Sequence, residues 1–109
     1  MAGPEQERSL ARNESLYRDV NEAIERGQWP GEHHPAAFRC ECARAGCAAL
    51  LELTPSEYER ARAHPRRFVL VPGHEDARVE DVVERHTAYV LVEKRGQAGE
   101  LAEASDPRS

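Results

Sequence analysis

The sequence predicts a small α+β fold, with an N-terminal amphipathic helix and one short second helix packed on a small antiparallel sheet, stapled by zinc. Four observations predict it. An apolar stripe at helical spacing runs through residues 9–26. Short apolar runs bounded by turn residues occur within 38–53, 68–71 and 79–94. A helix-start signature stands at residues 54–57, and all three cysteines fall within residues 40–47. At 109 residues, the chain is read as a flexible leader over 1–8, a single domain over 9–94 and a disordered tail over 95–109.

In the first helix, Leu10, Tyr17, Val20 and Ile24 recur at helical spacing, with Leu16 and Ala23 beside them. Arg12, Glu14, Arg18, Asp19, Glu22 and Glu25 occupy the other faces. Gly27 suits the stop after Arg26, and Pro30 blocks a restart. Such a stripe must be covered. It is a candidate contact for a protein partner, and it equally serves to complete a core that is otherwise thin. Residues 27–37 form a Gly- and Pro-rich loop in which Trp29 is expected to clamp onto the core.

Phe38–Cys42 and Ala48–Leu53 read as two strands of a hairpin with the cysteine turn at its tip. Thr54-Pro55-Ser56-Glu57 then supplies an N-cap Thr, Pro at the first helical position and Glu at the third. That helix should run to about Ala63, bury Tyr58 and Ala61, and end at His64-Pro65. Phe68–Val71 is a short strand closed by Pro72-Gly73, and residues 79–94 read as two antiparallel strands turning near His86. Beyond Lys94 only Leu101 is large and apolar, which is why the tail is expected to be disordered.

Composition excludes several functions. No apolar run approaches the roughly 20 residues that a membrane helix needs. The first residues, MAGPEQERSLARNE, carry no apolar signal segment, so a cytoplasmic location in a reducing compartment is expected. There, clustered cysteines point to metal or redox chemistry rather than structural disulfides. The net charge of −5 argues against broad electrostatic binding of nucleic acid. Arg60, Arg62, Arg66 and Arg67 are nonetheless a candidate local contact for it, against the plainer reading of cations at a helix C-terminus. No phosphate loop, nucleophile elbow or His-Glu-x-x-His motif is present, and an enzyme is not expected.

The chemistry centres on Cys40, Cys42 and Cys47, spaced Cys-x-Cys-x4-Cys. Three thiolates on one tight turn, with Gly46 to let the backbone bend, suit a tetrahedral zinc that still needs a fourth ligand. His74 is the first choice, because Pro72-Gly73 puts it on a turn rather than on a core face; His33, His34, His64 and His86 compete. A catalytic zinc would need an open position and a general base, for which Glu41 and Glu75 are the neighbours. A chain this small more often closes the site for stability, so a structural zinc is expected.

The ordered segments ARNESLYRDVNEAI, FRCECARAGC, LTPSEYERAR, RFVLVPGHE and YVLVEK resemble a group of small uncharacterised proteins from high-GC actinobacteria, over about residues 11–94. In that group the Cys-Glu-Cys-x4-Cys turn and the Pro-Gly-His-Glu segment occur together, which implies His74 as the partner of Cys40, Cys42 and Cys47. The turn reads Ala-Arg-Ala-Gly where Asp or Asn residues are expected, and the ligands are unaffected. The resemblance implies a site and a lineage but supplies no activity. The sequence therefore reads as a non-catalytic zinc-binding module with a binding or regulatory role. Its rivals are a thiol switch that releases zinc on oxidation and a nucleic-acid-binding zinc module.

Overall fold

The computed structural model describes residues 4–27, 34–42, 44, 46–106 and 108, with side chains of the first helix described from Asn13 onward. Trp29, His33 and the Leu10 side chain lie outside the described residues.

The fold is α+β, with three helices on two small antiparallel sheets. Helix α1 (Pro4–Arg26) leads into a hairpin of β1 (Ala36–Arg39) and β2 (Leu50–Leu53), in which Phe38 faces Leu51. Helix α2 (Pro55–Arg62) follows with the predicted capping box: Glu57 N–H donates to the Thr54 hydroxyl, and the Glu57 carboxylate accepts from Thr54 N–H. Strands β3 (Arg67–Leu70), β4 (Glu80–Arg85) and β5 (Val90–Lys94) form the second sheet in the order β3-β5-β4. One backbone bond, from Glu41 N–H to Val69 C=O at 2.8 Å, joins the two sheets. There the chain leaves its hairpin partner for β3, which is why β1 stops short of the expected Cys42.

The core is an apolar layer containing Phe38, Leu53, Tyr58, Phe68, Val69 and the run Val90–Val92. Phe38 and Tyr58 stack at 4.7 Å between ring centres, tying β1 to α2. Tyr58 and Ala61 are buried as expected.

Two expectations fail. The first is the buried face of α1. Tyr17 is buried and Ile24 packs against the core, but Leu16 is 58% exposed. The buried stripe is instead Glu14, Tyr17, Arg18, Asn21 and Glu22, at helical spacing and mostly polar. It docks on polar partners. Arg18 donates to the carbonyls of Pro65 and Ala102 at 2.8 Å each and lies over the Phe68 ring. Glu14 pairs with buried Lys94, which also pairs with buried Glu80. Glu22 accepts from Arg62. A periodicity count that rewards only apolar residues finds Tyr17 and Ile24 and misses the polar remainder of the buried face.

The second is the tail. Residues Gly96–Ala104 form helix α3, packed on the body with Gly99 and Ala102 buried. A Cβ on Gly99 would stand 2.9 Å from the Lys94 carbonyl and collide with the Arg66 guanidinium, so small residues take the place of large apolar ones by allowing close approach. Asp106 pairs with fully buried Arg62, and Arg108 reaches Glu22, Glu25 and Glu59. The helix also reaches back into the expected leader, beginning at Pro4.

Candidate metal centre

The hairpin carries the cysteine turn at its tip. Cys40 continues the β1 ladder, donating its N–H to the Ala49 carbonyl at 3.0 Å. Gly46 turns the chain with φ of 76°, a region open to glycine, and Cys47 returns toward β2. The second corner is Pro72-Gly73. Gly73 has φ of 96°, and His74 N–H donates to the Val71 carbonyl at 3.0 Å, closing the turn a Pro-Gly pair favours.

These two corners meet. His74 Nδ1 lies 3.5 Å from Cys40 Sγ and 3.8 Å from Cys47 Sγ, and one ligand atom from each of Cys40, Cys42, Cys47 and His74 lies within 4.8 Å of all the others. The group could hold a metal ion. Among the described residues the other histidines stand outside this group: His34 and His64 are exposed, and His86 stacks on Tyr89 and bonds Glu84. All three thiols are free.

The surroundings favour sulfur as an acceptor. Val71 N–H donates to Cys40 Sγ at 3.2 Å. The backbone N–H groups of Cys42, Arg44 and Ala49 act to lower the pKa values of Cys40, Cys42 and Cys47 respectively. Without a cation, burial pushes the Cys40 thiol up to about 12 and raises Cys42 too. Burial also opposes ionisation of Cys47, but the Ala49 N–H, the two neighbouring thiols and the Arg39 guanidinium together hold it below its ordinary value. Arg39 spans the site, stacked on Tyr17 and donating to the Cys47 carbonyl at 2.6 Å. Tyr17 in turn donates to the Arg44 carbonyl, so α1 braces the turn.

Glu41, between two of the sulfurs, faces the other way. Its side chain is fully buried, and it accepts from Asn21 Nδ2 (2.9 Å), Tyr58 OH (2.9 Å) and Val69 N–H (3.0 Å). Burial raises its pKa despite these donors. The pleat alone carries that signal, since successive residues of extended chain point to opposite faces. Glu41 is thus engaged in the core rather than free to act as a base. Glu75 accepts from Gly73 N–H at 2.7 Å and lies 3.5 Å from Arg85.

No protein-family model matches the chain, and no match is found among curated proteins or solved structures. No helix among the described residues is long and apolar enough to cross a membrane.

Proposed function

We propose that the protein is a small intracellular zinc-binding module in which Cys40, Cys42, Cys47 and His74 close a structural Zn2+ site, with a non-catalytic binding or regulatory role. The observation that carries this reading is the ligand spacing. Zinc bonds of about 2.3 Å to sulfur and about 2.0 Å to nitrogen imply tetrahedral edges of roughly 3.5 Å between sulfur and nitrogen. The two described spacings are 3.5 and 3.8 Å. Three soft thiolates with one imidazole select zinc over hard cations. Four protein ligands leave no open position for a substrate water, and the Glu41 carboxylate is engaged in the core.

The nucleic-acid alternative is weakened by the four arginines it would use. Arg60 pairs with Glu84, Arg66 with Glu103 and Arg67 with Glu93, while Arg62 is buried between Glu22 and Asp106. The first helix completes this fold with its polar face, and among its described residues the exposed large apolar side chain that it offers a protein partner is Leu16.

Metal analysis of the purified protein tests the reading. Equimolar zinc is expected, lowered together with thermal stability by His74→Ala and left intact by replacement of His33, His34, His64 or His86. Zinc-free protein, or equal losses across the five variants, would overturn it.

A further inference from the structure

The four ligands differ in how well they are sealed. Cys40 and Cys42 are 0% and 1% exposed. Cys47 is only half-buried, and it stands on the turn between exposed Gly46 and Ala48. A small reagent arriving from solvent therefore reaches the Cys47 sulfur before the other two.

A second sulfur stands behind it. The Cys42 and Cys40 sulfurs both lie within 4.8 Å of the Cys47 sulfur. Cys40 is the less mobile alternative, because its backbone is held in the hairpin ladder and its sulfur takes the Val71 N–H from the neighbouring strand. Cys42 lies beyond the ladder, on the turn that Gly46 bends. A disulfide brings its two sulfurs to about 2.05 Å, and these sulfurs already lie within 4.8 Å of each other.

Resting on the zinc reading above, we propose that Cys47 is the oxidation site of the centre, at which a hydroperoxide forms a Cys42–Cys47 disulfide and releases the metal. The Cys47 thiolate attacks one peroxide oxygen, the O–O bond breaks, and Cys47 becomes a sulfenic acid while hydroxide leaves. The Cys42 thiolate then attacks that sulfur, the S–S bond forms, and a second hydroxide is expelled. The two sulfurs lose two electrons, the peroxide gains them, and both hydroxides take up protons to become water. Two sulfur–metal bonds are lost in the process. Cys40 and His74 then remain, too few to retain the ion. A thiol reductant reverses the sequence.

The test treats the zinc-loaded full-length protein with hydrogen peroxide in the presence of a chromogenic chelator, then maps disulfides by peptide mass spectrometry. Zinc release that tracks a Cys42–Cys47 link, undone by dithiothreitol, is the expected result. Retained zinc with a reduced Cys47, or a disulfide that omits either residue, overturns the proposal while leaving the zinc site standing. Protein that purifies without zinc yet forms the same link overturns the metal reading and keeps the oxidation site. The Cys47→His variant, which keeps a fourth donor but lacks the accessible sulfur, should release zinc at least about tenfold more slowly. Equal rates in a zinc-loaded variant would count against the proposal.

Discussion

Two interfaces hold this protein together, and they are built on opposite principles. Around Phe38, Leu53 and Tyr58 the contacts are apolar and sealed. Along α1 the buried polar side chains are Glu14, Arg18, Asn21 and Glu22, each matched to a particular partner. The Phe68 ring marks the boundary, with the Arg18 guanidinium 4.3 Å and the Lys94 ammonium 5.4 Å from its centre. Apolar burial supplies driving force without direction. A buried ion pair adds little net stability, yet it strongly penalises any docking that leaves a charge without its partner. The difference teaches that the apolar layer makes α1 worth docking somewhere, while the polar seam decides where.

The sharpest way to break this contrast is to compare loss with rescue. Phe38→Ala should cost about 3–5 kcal/mol in denaturant unfolding, because it leaves a cavity. Lys94→Met should cost a similar amount, about 3–5 kcal/mol, by leaving the Glu14 and Glu80 carboxylates buried without their cation. Adding Glu14→Leu and Glu80→Gln to Lys94→Met should recover most of that loss. A triple variant as unstable as the single one would mean that the seam supplies stability rather than orientation.

A smaller effect lies where the C-terminal segment crosses the seam. Glu25 and Glu59 share a proton beside Arg108 and near Glu22, and burial together with Glu59 lifts the Glu25 pKa to about 7. The folded state thus holds a proton that the unfolded chain, with the ordinary value of 4.5, has already released. This contribution is full below the unfolded pKa and is lost as pH rises through about 7. Thermal stability should therefore fall between pH 6 and pH 8, and Glu25→Gln should flatten that slope by a few degrees in Tm. A wild-type profile no steeper than the variant's would remove the shared proton from the account. The smallest effect belongs to the surface: Arg60→Ala, which breaks the exposed pair with Glu84, should change stability by less than about 1 kcal/mol.

Much of the fold was legible because local chemistry and tertiary structure agree. Thr54-Pro55-Ser56-Glu57 starts a helix for reasons contained in those four residues, and Pro72-Gly73 makes its turn in the same way. The assembly of Cys40, Cys42 and Cys47 follows from a hairpin that the alternating apolar residues announce, and His74 follows from the Pro-Gly corner. What was not legible depends on partners distant in sequence. Nothing near Arg18 says that it will meet the carbonyls of Pro65 and Ala102, and nothing in a run of Gly, Ala and Glu says that it will pack as α3. Burial of Glu41 was the intermediate case: the strand alternation that turned the sulfurs to one side required its carboxylate to turn to the other.

That last residue makes the Cys40-Glu41-Cys42 tripeptide a lever with two arms. One arm carries two thiols that could hold a metal ion, and the other holds Asn21 of the first helix, Tyr58 of the second and the backbone of Val69. A twist of this short segment large enough to scatter the sulfurs would pull the carboxylate from all three anchors together. Seating an ion on one arm and seating two helices on the other would accordingly register as a single cooperative event.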